Sequence, residues 1–240
     1  MVKVENQGDL IINGMGSSSG GSFNKVSING KGTVNGNVEC NEFRLNGSGT
    51  VNGNLKGSNG HISGSGNIEG QIEFEEFLID GSGTIQDNAF VKKMKISGKG
   101  SVGGNLEGEE VRIKGKAKIG GDCEADVFKG EGAFSIGGLL NADLIDIIIV
   151  GECRAKEIGG QNIKVIQKPK GLLQLFKSVY PTSLRVDTVE ADEIEIENTH
   201  AKMVRGNNVI IGPDCEIEVV EYSGTYKQDS SAKVKETRKI

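Results

Sequence analysis

Apolar residues and glycines recur every seventeen positions through the first two-thirds of the chain, which dictates one structural unit stacked on itself. One column reads Ile28, Leu45, Ile62, Ile79, Ile96, Ile113. A second reads Val34, Val51, Ile68, Ile85, Val102, Ile119, Ile136, Cys153, and a third Val38, Leu55, Ile72, Ala89, Leu106, Cys123, Leu140. Glycines keep the same register, from Gly30, Gly47 and Gly64 to Gly81, Gly98 and Gly115.

Within one unit the apolar slots alternate, as in Val38-x-Cys40-x-x-Phe43-x-Leu45, which places them on one face of a strand. No helical spacing persists over a useful length, so helical repeats are excluded. Gly-rich corners between short strands suit one turn of a β-helix, because glycine permits sharp turns, often at positive φ, and leaves room for the coil above. The inward slots do not fall every sixth residue, the spacing of left-handed coils. The sequence therefore predicts an all-β, single-stranded, right-handed parallel β-helix of about 17 residues per coil, with one short insertion.

The register divides the chain. Residues 1–22 carry a degenerate first coil, in which Ile12-Asn13-Gly14 echoes Ile28-Asn29-Gly30. Residues 23–166 form the regular β-helix, and 167–184 are an insertion, read as an amphipathic helix or an apolar loop. Residues 185–224 resume the template, with Val189-x-Ala191-x-x-Ile194-x-Ile196 and Val204-x-Gly206-x-x-Val209-x-Ile211 offset by 15. Residues 12–222 read as one solenoid with an insertion, and 225–240 as a disordered basic tail.

Charge is uneven. The formal net charge is −5, yet the tail sets Lys227, Lys233, Lys235, Arg238 and Lys239 against only Asp229 and Glu236. Acids such as Glu193, Glu195 and Glu197 alternate with inward residues and read as a solvated face, although the basic tail could fold back on this acidic coil or bridge subunits. No basic stripe carries interleaved aromatics, so no nucleic acid is expected as a partner. Cys40, Cys123, Cys153 and Cys215 stand apart without a CxxC pair and read as buried apolar fillers. No signal peptide or membrane-spanning run is recognised, and a cytoplasmic location is expected, with membrane association as an addition.

Chemistry is sparse. His61 precedes the inward Ile62 and should face solvent, while His200 lies in a shortened turn, so neither is expected to be catalytic. Gly30-x-Gly32-x-x-x-Gly36 recurs coil after coil and leads into no helix, which argues against a phosphate loop. No catalytic, cofactor-binding or metal-ligating set is assigned, no nucleotide is expected, and the chain reads as a non-enzyme.

The unit Ile28-Asn-Gly-Lys-Gly-Thr-Val34-Asn-Gly-Asn-Val38, recurring over about residues 23–160, resembles the bactofilins, bacterial polymer-forming cytoskeletal proteins. The resemblance implies a β-helix that assembles end to end, without nucleotide, into non-polar filaments. It also implies scaffolding of cell shape, envelope or motility structures, often near the membrane. The implied partner is a second copy or a paralogous bactofilin. Family members carry one β-helix between disordered tails, so the insertion and the extra coils mark a longer, Firmicute-like variant.

Open strand edges at the coil ends are templates for another chain. Candidate contacts are Phe23, Val26 and Ile28 at one end, and Val209, Ile211, Ile217, Val219 and Tyr222 at the other. In the insertion, Leu172, Leu173, Leu175 and Phe176, flanked by Lys168, Lys170 and Lys177, are candidates for membrane or partner contact. The rival readings are a left-handed β-helix acyltransferase, which the period contradicts, a secreted lyase or adhesin, and a non-polymerising solenoid that binds a partner.

Overall fold

The computed structural model describes residues 8–167 and 182–240, and among these every regular element is a β-strand. Neighbouring strands pair in parallel about one coil apart in sequence, as the period predicts for a parallel β-solenoid. The chain divides into two compact units, the first ending at Gly121 and the second spanning Asp122–Ile240.

In the first unit a coil consists of a short and a longer strand, for example Ser48–Asn52 and Leu55–Ile62. Each lies in register on its counterpart seventeen residues on: Val51 on Ile68, Leu55 on Ile72, Ile62 on Ile79. All three apolar columns are buried there. Each fully buried Val, Leu, Ile or Phe contributes about 1.5–3 kcal/mol before the entropy of ordering is subtracted. The first coil is looser: Leu10–Ile12 pairs with Val26–Ile28 sixteen residues away, and a register shift follows between Ser19 and Gly21.

The glycine columns have a different cause from the one the sequence suggests. Positive φ occurs only at Gly21 and Gly36 among the described glycines. At Gly64 the constraint is space, since a Cβ would stand 1.9 Å from the carbonyl oxygen of Gly47 in the preceding coil. Side chains obey the same stacking rule. Gly60 sits between Phe43 and Phe77 in one column, and the ring of Phe77 fills the volume that glycine leaves. Phe77 then meets Phe74 edge-on, with ring centroids 4.9 Å apart.

The second unit keeps the principle and loses the strict period. Cys123–Ile136 pairs with Leu139–Arg154 seventeen residues on, until a shift between Gly132 and Phe134. Beyond it Phe134 faces Cys153, so Cys153 does not share a column with Ile136, as uninterrupted counting predicts. The same corner then expands. Ile149 pairs with Gln167 and Cys153 with Leu184, so the offset to the neighbouring coil changes between these two pairs. Residues 168–181, including Lys168, Lys170, Leu172, Leu173, Leu175, Phe176 and Lys177, lie outside the described residues, as does any helix over them. Leu184–Ile196 and Thr199–Ile211 follow at the expected offset of fifteen.

The segment expected to be a disordered tail is ordered. Tyr226–Gln228 pairs with Val209–Ile211, and Lys233–Lys239 pairs with Glu216–Tyr222 seventeen residues before it. Backbone pairing and cross-coil charge pairs order a sequence that alternation alone leaves polar.

The stacking rule makes a quantitative expectation. In Gly60→Ala the new Cβ would lie 2.2 Å from the Phe77 ring. Destabilisation of about 1–3 kcal/mol is expected, the usual cost of overpacking a filled core. A shift in denaturation midpoint checks it, and an unshifted midpoint contradicts the packing assignment.

Candidate self-association surfaces

Both ends of the described coils carry a strand edge, and the two edges differ in chemistry. At the N-terminal edge the outermost coil is formed by Leu10–Ile12 and the first part of Met15–Ile28. Its inward side chains include Ile12, which is buried, and Leu10 and Phe23, which are half-buried. Met15 and Ile11 are exposed beside them, at 89% and 53%. Polar side chains are tied down in ladders: Asn46 donates to Asn29 and Asn29 to Asn13, each at 2.8 Å, while Asn41 donates to Asn24 and Asn24 to Asp9, each at 3.1 Å.

At the C-terminal edge two of the inward columns turn polar within one coil. Gln228 lies on Ile211, Thr237 on Val220, and Val234 on Ile217. Outward charges lock this strand to its neighbour. Lys233 Nζ lies 2.9 Å from Glu216 Oε1, Lys235 Nζ 3.1 Å from Glu218 Oε1, and Arg238 Nη1 3.2 Å from Glu221 Oε1. Arg205 also bonds Glu221 at 2.8 Å. The ammonium of Lys233 holds the Glu216 carboxyl below its ordinary range, and the guanidinium of Arg205 does the same for Glu221. Tyr226 stacks on Tyr222 with ring centroids 5.2 Å apart.

The candidate contact residues fall as follows. Phe23 is on the outermost N-terminal coil, whereas Val26 and Ile28 are buried beneath Leu10–Ile12. Val209 and Ile211 are buried beneath Tyr226–Gln228. Ile217 is buried, and Val219 and Tyr222 half-buried, beneath Lys233–Lys239. The sequence thus places the C-terminal candidates one coil too far out. The missed residues, Leu10 and the strand Lys233–Lys239, had a signal in spacing: Val234 and Ala232 stand seventeen residues after Ile217 and Cys215. The surrounding lysines masked it.

The histidines sit on outer faces. His61 Nε2 lies 2.8 Å from Asp80 Oδ2 and 3.3 Å from Ser63 Oγ. Both partners converge on one ring nitrogen, whereas a nucleophilic relay needs the base between its acid and its serine, on opposite nitrogens. The contact is therefore a surface link between coils, and the hydrogen bond from His61 holds the Asp80 carboxyl below its usual range. His200 Nδ1 lies 3.4 Å from Glu216. A shallow groove nearby has a floor of Ala155, Val186, Ala201 and Ile217, but its wall charges largely pair among themselves, as in Lys202 with Asp187 at 2.7 Å. Among the described residues no cluster of His, Cys, Asp and Glu could hold a metal ion, and no helix is long and apolar enough to cross a membrane.

Stacked coils with apolar columns reaching an outer edge define a structural β-solenoid. Comparison with known proteins places it more closely. Residues 48–141 match the bactofilin model, described as polymer-forming cytoskeletal. The chain is 61% identical to the uncharacterised protein YhbE of Bacillus subtilis (strain 168), over 96% of this chain and 98% of that one. It is 38% identical to the uncharacterised protein YhbF of the same organism over 85 residues, 35% of this chain and 34% of the relative. No solved structure matches significantly. The chain belongs to the bactofilin family, a family of polymer-forming cytoskeletal proteins.

The four cysteines are buried and free. Burial pushes the thiols of Cys40 and Cys123 up to about 12, and those of Cys153 and Cys215 up to about 11. The unfolded chain ionises nearer 9, so their contribution to stability is whole below about pH 9 and is lost as pH rises through 11 to 12. Slow alkylation by iodoacetamide at pH 8 is expected in the native protein and fast alkylation after unfolding. Equal rates would contradict their burial.

Proposed function

We propose that this chain is a cytoskeletal scaffold that self-assembles end to end through its coils into nucleotide-independent filaments, in support of cell shape, envelope or motility structures. One observation carries the reading: apolar columns continue to the outermost N-terminal coil, where Leu10, Ile12 and Phe23 belong to a strand edge with no described strand beyond it. A further coil laid on this edge would pair its backbone and continue its core, the same interaction that joins every coil to the next. Membership of a polymer-forming family supports the same reading. The partner is a second copy, and the partial similarity to YhbF supports co-assembly with a paralogous bactofilin as a variant of the same contact. Peripheral membrane contact through Lys168–Lys177 is a separate proposal from sequence, tested by liposome flotation with and without residues 168–183.

Leu10→Lys tests the contact while sparing the buried columns. Elongated particles are expected for the parent protein in negative stain without nucleotide. In the variant the onset concentration should rise at least tenfold with the β-sheet circular dichroism spectrum intact, tenfold corresponding to about 1.4 kcal/mol. An unchanged onset would remove the N-terminal edge from the contact.

A further inference from the structure

The C-terminal coil is attached differently from every coil beneath it. Elsewhere in the second unit the inward slots are filled mostly by buried apolar side chains, such as Val209, Ile211, Cys215, Ile217 and Val220. The last coil offers Tyr226, Gln228, Ala232, Val234 and Thr237 to those same slots. Of these only Ala232 is buried, and Gln228 and Thr237 are exposed. The remaining hold consists of backbone pairing, the stack of Tyr226 on Tyr222, the bond from the Asp214 amide to Ser231 Oγ, and the outward pairs from Lys233, Lys235 and Arg238 to Glu216, Glu218 and Glu221. Lys233 and Lys235 are 78% and 75% exposed, and exposed pairs of this kind add little and weaken with salt. A segment with few buried apolar side chains and solvated hydrogen bonds opens locally at low free energy.

What lies beneath it is apolar. With the strand in place, lysines and an arginine line the outer edge, the arrangement by which proteins discourage edge-to-edge pairing. With the strand displaced, Cys215, Ile217 and Val220 lose their cover along the edge of Glu216–Tyr222, and Val209 and Ile211 lose theirs where Tyr226–Gln228 leaves too. We infer that the coil over residues 226–239 is a detachable cap: closed, it blocks self-association at this end, and open, it exposes a stacking surface for a second copy of the chain. The inference rests on the end-stacking proposed above and adds a regulated second contact to it. The two ends then differ in kind. One presents half-buried apolar side chains, and the other is gated by charge.

Three forms of the full-length or minimally shortened protein test the gate: the parent, a chain stopped after Gln228, and a Lys233→Glu, Lys235→Glu, Arg238→Glu variant that sets acids against Glu216, Glu218 and Glu221. Sedimentation velocity and negative stain read the length of assemblies between low and high salt. Hydrogen exchange reads whether residues 229–240 open while Leu184–Ile211 stays protected. For the parent, short assemblies at low salt should lengthen at high salt, in step with faster exchange over 229–240. Both altered chains should form long filaments already at low salt, with an onset at least tenfold lower than the parent's. Equal onset and length in all three overturn the cap and leave end-stacking intact. Uniform monomers, with the coils shown folded by exchange protection, overturn end-stacking and the cap with it. Should the stopped chain fail to fold, the charge-reversed variant and the salt series on the parent decide by the same criteria.

Discussion

Parallel backbone pairing between coils is the interaction on which everything else in this chain depends. It holds successive strands about 4.8 Å apart, so a residue and its counterpart one coil on share a single slot. Two large groups cannot crowd that slot unless one leans away, and an empty slot costs packing energy. Composition follows from this geometry. Gly30, Gly47, Gly64, Gly81, Gly98 and Gly115 form a column because each would otherwise drive a Cβ into a carbonyl of the previous coil. Phe43, Gly60 and Phe77 alternate large, small and large for the same reason. Glycine here acts chiefly as absent volume, since its left-handed freedom is used only at Gly21 and Gly36 among the described residues.

The same stacking orders the surface. Amides at matching corners donate along the axis, as Asn46 to Asn29 to Asn13, while Asn52 pairs with Asn35 at 2.8 Å. Side-chain carbonyls of Asn37, Asn54 and Asn88 accept from backbone amides one coil on. These ladders give polar side chains partners along the coil axis. The His61–Asp80–Ser63 contact is one more rung of this kind, and its geometry, with two partners on one nitrogen, explains why a familiar residue triplet brings no relay with it.

How far the fold could be read from sequence tracks how strictly the period is kept. From Ile28 to Ile119 every column in the sequence is a column in space, because no coil gains or loses a residue. Counting by seventeen puts Cys153 beside Ile136, but one corner absorbs extra residues at 150–152, a change that leaves hydrophobic alternation intact on either side. Counting cannot detect such an expansion when the flanking strands look alike. The last coil was hidden for the opposite reason: its register is perfect, with Ala232 on Cys215 and Val234 on Ile217, but lysines occupy its outward positions and polar side chains two inward ones. Composition suggested disorder where pairing imposes a strand.

That misreading is itself informative about the ends. A solenoid has no closed core, so each terminal coil must leave an apolar cross-section wet, cover it with polar chain, or cover it with a partner. The N-terminal edge keeps Leu10 and Phe23 half-buried and Ile12 buried, while the C-terminal edge grades from Val220 to Thr237 and from Ile211 to Gln228 in one step. A sequence under pressure only to remain soluble would grade both edges alike. On the end-stacking proposed above, a sequence that joins copies yet limits where they join gains from treating the two edges differently, and charge pairs suit the limiting end. They are weak enough to exchange, they respond to ionic conditions, and they leave the apolar columns beneath them unaltered.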